Sequence, residues 1–103
     1  MNKYHAKRTW SELTQREYAS KAEAKRGDEL YLLLLAKQIS NLEHQPLFIL
    51  SVKPKITYKA DFRYVENNKI VVEDVKGILT RECRVKLAWL KEKFGIDVVL
   101  IGG

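Results

Sequence analysis

Residues 58–77, YKADFRYVENNKIVVEDVKG, decide how the rest of the chain is read. Two runs rich in β-branched and aromatic residues flank Glu66-Asn67-Asn68-Lys69, and asparagine tolerates the positive φ that both central positions of a type I′ turn demand. The spacing predicts an antiparallel hairpin with a two-residue loop. Glu66 then pairs with Lys69, and each further pair steps outward by one residue on both strands, which brings Asp61 opposite Asp74. Opposed residues project from one face with Cβ atoms about 5 Å apart, and like charges so placed repel unless something offsets them. Lys76 shares that face. Glu73 points the other way, with Tyr58, Ala60, Phe62, Tyr64, Val71 and Val75, where it needs a hydrogen-bond partner such as a tyrosine hydroxyl or a helix arginine.

Two facing carboxylates ask for a cation. Hard oxygen ligands completed by water and phosphate describe a Mg²⁺ or Mn²⁺ site, and Lys76 is placed to orient and deprotonate a water there, which is phosphodiester chemistry. On the residues alone a second reading stays open, a solvated strand face on which Lys76 and Arg63 offset the acids.

Upstream of the hairpin, Ser20-Lys21-Ala22-Glu23 is a capping box that opens a helix running to about Ser40. Its leucines, with Tyr31 and Ile39, make it apolar over a wide arc, so burial is expected beyond the first turns. Glu23 can serve the Ser20 amide as a cap. Gly27 clears space one turn on, however, and the stripe Glu23, Gly27, Leu30, Leu34 runs into the buried face, so a site role is open to it as well. Pro46 begins a β run over Leu47 to Val52, Pro54 interrupts, and a second run covers Ile56 to Val65. Gly77 ends the third run, Ile70 to Lys76. Thr80 caps a second helix, Arg81 to Phe94, with Val85, Ala88 and Trp89 on its inward stripe and Gly95 as its stop. Ile96 to Ile101 reads as a last, buried strand. The order αβββαβ predicts an α/β fold, a mixed sheet flanked by helices, over residues 20–103. Residues 1–19 lack a sustained apolar period and are read as an arm, a short strand or hairpin ending near Tyr18.

The 103 residues are 46% hydrophobic and 31% charged, enough for one compact domain and incompatible with a multidomain enzyme or a disordered chain. Leu30 to Ala36, the longest apolar run, is too short to cross a bilayer, and the N-terminus has no signal-peptide core. A soluble, intracellular protein without a membrane partner is expected. A single cysteine, Cys83, and two histidines, His5 and His44, exclude an intrachain disulfide and any Cys- or His-rich zinc site. The formal charge of +6 sits at the two ends of the chain, while residues 27–80 balance. A polyanion such as DNA suits that distribution, with Lys3, Lys7, Arg8, Lys21, Lys25, Arg84 and Lys86 as candidate phosphate contacts. Tyr4, Trp10 and Tyr18 are candidates for stacking on bases, whereas Trp89 is read as core.

From Ser20 to Ile101 the chain resembles the PD-(D/E)xK, or restriction-endonuclease-like, nuclease superfamily, and specifically its small phage- and prophage-encoded members. The carriers are SKAEAKR at 20–26, EHQP at 43–46, YKADFRY at 58–64, VVEDVKG at 71–77 and RVKLAWL at 84–90. The resemblance implies an αβββαβ core that cleaves DNA with Mg²⁺ or Mn²⁺. It places the motif acids on Asp61 and Asp74, the motif lysine on Lys76, and the helix glutamate that completes the metal shell on Glu23. Gln45 is an accessory by the same analogy. Ala60 departs from the usual proline, and Asp74 stands where many members have glutamate. An endonuclease acting in the cytoplasm of a bacterial host, junction-resolving or nicking, is implied. Cutting both strands would need a homodimer, because one chain offers one site. The alternative is a nucleic-acid-binding module on the same fold without hydrolysis.

Overall fold

The turn that set the register forms as its residues require. In the computed structural model, which describes residues 7–76 and 78–102, Asn67 and Asn68 take φ of 52° and 62°. Lys3, Tyr4, His5 and Gly77 lie outside the described residues. The flanking strands β6 (Phe62–Glu66) and β7 (Lys69–Lys76) pair Glu66 with Lys69 and continue through Phe62 with Glu73, the register expected from the turn. Around this hairpin the order is β1 (Thr9–Ser11), β2 (Arg16–Tyr18), α1 (Lys21–Leu35), β3 (Ser40–His44), β4 (Leu47–Ser51), β5 (Ile56–Lys59), then after β7 α2 (Arg81–Phe94) and β8 (Val98–Gly102). The architecture is α/β, with a mixed four-stranded sheet β3-β6-β7-β8 in which only β8 runs parallel to its neighbour.

Several elements depart from the sequence reading. Helix α1 stops at Leu35 rather than Ser40, because Lys37 adopts φ 61°. The Lys37 N–H donates to the Leu34 carbonyl at 3.1 Å and the Gln38 N–H to that of Leu33 at 2.9 Å, which is a Schellman closure. No glycine marks it. The freed residues make β3, which the sequence did not announce and which pairs with β6 across a bulge. The run expected over Ile56 to Val65 breaks in two at Ala60-Asp61, opposite Gln45 at φ 54°. There the Gln45 N–H donates to the Asp61 carbonyl at 2.9 Å and the Ala60 N–H to that of Pro46 at 3.1 Å. The pairs His44–Phe62 and Leu47–Lys59 keep one register through the break, so β3-β4 and β5-β6 form one long, kinked hairpin.

The kink decides which helix each residue meets. Phe62, Tyr64 and Val75 pack with Leu30, Ala24 and Ile39 beneath α1. Tyr58, Ala60 and Val72 pack with Phe48, Leu50 and Leu90 on the α2 side. Tyr58 and Ala60 therefore do not share the face of Phe62 and Tyr64 as unbroken alternation required. Both faces of the sheet are covered. The inward stripe of α2 is Cys83, Leu87 and Leu90, while Val85 and Ala88 face outward and Trp89 is half-buried against the core as expected. The arc of α1 is narrower than its composition suggests, with Leu32 and Leu35 54% and 60% exposed. β8 is an edge strand with Val99 and Leu100 exposed rather than a buried one. Among the described residues no helix is long and apolar enough to cross a membrane.

The N-terminal arm is the expected hairpin, β1 with β2, and it is docked on α1 through Tyr18. Tyr18 enters the α1 cluster, and Gly27 makes room for its ring rather than for Glu23. A Cβ at Gly27 would stand 2.5 Å from the Tyr18 Oη and 2.6 Å from Cζ. Tyr18 is too buried to swing away, so Gly27→Ala is expected to destabilise the fold by about 1–3 kcal/mol despite its better helix propensity, measurable as a lowered urea midpoint.

Candidate active site

Asp61 sits where the kink has taken the chain out of the ladder. Its N–H still donates to the Glu73 carbonyl at 3.1 Å, and its Oδ2 accepts the Val75 N–H at 2.7 Å. The carboxylate thus replaces a missing ladder acceptor and is held beside β7. Asp74 rises from β7 on the same side, hydrogen-bonded to Asp61. Both are buried, at 7% and 1% exposure, which removes the solvated-face reading. Tyr58, brought to this face by the kink, donates its hydroxyl to Asp74 Oδ2, and Lys76 Nζ lies 3.4 Å from the same oxygen.

These neighbours set the protonation. Burial, then the hydrogen bond and charge of Asp61, push the Asp74 carboxyl up to about 7, against the opposing pull of Tyr58 and Lys76. Burial and the hydrogen bond to Asp74 push the Tyr58 hydroxyl far above its ordinary value, so it remains a donor. Two carboxylates this close share a proton or a cation.

Asp61 opens onto a cleft of about 220 Å³ lined by Arg8, Arg16, Glu17, Tyr18, Glu23, His44, Gln45 and Asp61. Three residues singled out from separate stretches of sequence, Glu23, Gln45 and Asp61, thus meet in one cavity, with Asp74 and Lys76 behind Asp61. The cap on α1 forms, with the Glu23 N–H donating to Ser20 Oγ at 3.1 Å, and the Glu23 side chain is buried in the cleft wall. Among the described residues no group of three or more His, Cys, Asp or Glu side chains stands in metal-ligating geometry.

Of the candidate phosphate contacts, Arg8 lines the cleft. Lys7, Lys21, Lys25 and Arg84 are exposed outside it, and Lys86, half-buried on α2, stands 3.5 Å from Glu82. Glu73 lies on the α1 face as alternation required. Arg26 grips it with Nε 2.8 Å from Oε1 and Nη2 2.7 Å from Oε2, and the Tyr64 hydroxyl donates to Oε2.

Sequence reasoning missed Tyr58 at Asp74, and Arg16 and His44 in the cleft. Alternation assigned Tyr58 to the wrong face because nothing in YKADF announces the kink. Arg16 was within reach, since it shares a strand face with Tyr18, but a strand of three residues carries too short a pattern to read.

A family model described as Protein of unknown function (DUF1064) matches residues 1–100. No curated protein and no solved structure matches the chain.

Proposed function

The chain belongs to the DUF1064 family, whose description carries no activity, and from its own site we propose that it is a metal-dependent DNA endonuclease of the restriction-endonuclease-like kind. The observation that carries this reading is the buried Asp61–Asp74 pair, with Lys76 beside Asp74 and with Asp61 lining a cleft that also holds Glu23. A like-charge pair so buried is costly unless a cation or proton offsets it, and an all-oxygen donor set suits a hard divalent ion. Asp61 and Asp74, with Glu23 across the cleft, would hold Mg²⁺ or Mn²⁺, which supplies charge neutralisation at a phosphodiester. Lys76 would orient the attacking water and, as an ammonium beside Asp74, offset the charge that builds on the phosphate. Tyr58 fixes the rotamer of Asp74, and Gln45, tied by its N–H to the Asp61 carbonyl, borders the reacting phosphate.

The substrate is DNA, met in a bacterial cytoplasm by a phage-type protein, and cleavage of both strands would take two copies of the chain. The test is incubation with labelled linear, nicked, flap, four-way and single-stranded DNA, with and without Mg²⁺ or Mn²⁺. Cleavage that requires metal is expected for at least one. Lys76→Ala should lower that rate by about 10²–10⁴-fold while leaving DNA binding nearly unchanged. Cleavage by Lys76→Ala at the wild-type rate would overturn the assignment. The binding-module reading draws on one observation, that no trio of ligating side chains is already assembled among the described residues. Tight DNA binding with no cleavage in either metal would establish it instead.

A further inference from the structure

The cleft carries both signs of charge. Glu23 and Asp61 bring carboxylates from α1 and the β5–β6 kink, while the N-terminal hairpin and the residue before it bring two guanidiniums, Arg8 and Arg16, and one carboxylate, Glu17. That hairpin is a fixed platform. Ser11 Oγ donates to Asp28 Oδ1 at 2.6 Å and accepts the Thr14 N–H at 3.1 Å, the Gln15 N–H donates to the Ser11 carbonyl at 2.9 Å, and Tyr18 is sunk against Gly27. Alternation puts Arg16 on the same face of β2 as Tyr18, so burying Tyr18 turns Arg16 towards the cleft.

The two arginines are not equivalent. Arg8 is engaged by Glu17, Nε to Oε1 at 2.8 Å, whereas among the described residues no carboxylate stands in ion-pair contact with Arg16. The charge of Arg16 acts on His44 and Tyr18, both of which line the cleft. Arg16, carried by this docked hairpin and lining the cleft with no ion-pair contact to a carboxylate among the described residues, is open to a group that is anionic towards it. A phosphodiester is that group. A volume of about 220 Å³ admits a phosphate group with the sugar atoms that flank it.

We propose that the β1–β2 hairpin is the phosphate-holding wall of the cleft and that Arg16 binds the phosphate of the strand to be cut. Cleavage of that strand rests on the nuclease reading; the phosphate contact rests on the cleft alone. The contact also gives the arm a function that deleting it cannot test cleanly, because removal of residues 1–18 takes Tyr18 out of the core.

The experiment is fluorescence anisotropy of a labelled 20-nucleotide single strand in EDTA, over a salt series, with the full chain. Wild type is compared with Arg16→Ala, Arg16→Lys and Lys69→Ala, the last removing an equal charge at the far end of β7. Arg16→Ala should weaken binding at least tenfold and reduce the slope of log affinity against log salt by about 0.7, the value for one phosphate contact on a single strand. Arg16→Lys should recover most of the affinity, and Lys69→Ala should match wild type, with all melting temperatures alike. Affinity of Arg16→Ala equal to wild type, or a loss equalled by Lys69→Ala, overturns the proposal. Parallel assays in Mg²⁺ and Mn²⁺ separate the two readings. Wild type that binds through Arg16 but cleaves nothing sinks the nuclease and keeps the clamp. Metal-dependent cleavage with an unchanged KM in Arg16→Ala keeps the nuclease and sinks the clamp.

Discussion

Asp74→Asn is expected to abolish metal-dependent cleavage and, in EDTA at pH 8, to raise the melting temperature by several degrees. The Asp74 carboxyl titrates near 7 in the fold, against about 3.9 in an unfolded chain. A folded-state value raised in this way means that the fold favours the protonated acid. Its contribution is fully present below the unfolded value and is lost as pH rises through 7. An asparagine amide removes the titration while keeping an acceptor for the Tyr58 hydroxyl and offering a donor to Asp61. The gain should therefore vanish near pH 4 and grow towards pH 8, on the order of 1–3 kcal/mol, with each kcal/mol worth about 4–8 °C in a domain of this size. Added Mg²⁺ should raise the melting temperature of wild type and leave the variant unmoved. Asp74→Ala differs. A solvated strand face would accept alanine with little change in melting temperature, but Asp74 is almost fully buried and accepts the Tyr58 hydroxyl, so alanine strands a buried donor and should destabilise. Calorimetric scans of both variants in EDTA from pH 4 to 8 decide this. An Asp74→Asn protein less stable than wild type at pH 8 would mean that the pair is not under repulsion.

How much of this was legible follows from where strong local signals lie. The Asn67-Asn68 turn fixes its hairpin because two consecutive positive-φ positions admit few registers, and that register carried Asp61, Glu73, Asp74 and Lys76 to their correct relative faces. The ends of α2 were legible for the same kind of reason, since Thr80 accepts the Cys83 N–H and Gly95 takes φ 69°. What failed lacked a local marker. Lys37, Asn41 and Gln45 all adopt positive φ without being glycine, and between them they end α1, bulge β3 and kink the long hairpin. The same kink gives Asp61 its bond to the Val75 N–H and moves Tyr58 onto Asp74, so the site owes its detail to the part of the chain whose sequence pattern was least informative.

The largest loss of stability is expected at Glu73, the acid next to Asp74 in sequence and on the opposite face of the sheet. Neighbours on a strand point to opposite sides, so only one of the two can join Asp61, and the fold gives that place to Asp74. Read from the sequence, a structural Glu73 would tolerate glutamine with a modest loss. The contacts make the loss larger. Its side chain is 2% exposed and meets Arg26, itself 23% exposed, through two hydrogen bonds, with a third from Tyr64. A glutamine amide would present N–H towards one guanidinium nitrogen and leave the half-buried arginine charge with only the exposed Glu29, 3.2 Å from Nη1, as counterion. Removing one partner of a buried ion pair costs about 3–5 kcal/mol, a large share of the roughly 5–15 kcal/mol that holds a domain together. Glu73→Gln should thus lower the urea midpoint sharply, while the folded fraction keeps metal-dependent cleavage because Asp61, Asp74 and Lys76 are untouched. The double variant Arg26→Met/Glu73→Leu, which replaces both charges by apolar side chains, should recover part of the stability, the Tyr64 hydroxyl being left without its acceptor. If Glu73→Gln instead melted like wild type and lost cleavage, Glu73 and not Asp74 would be the acid at work, and the face assignment on which the site rests would have to be reversed.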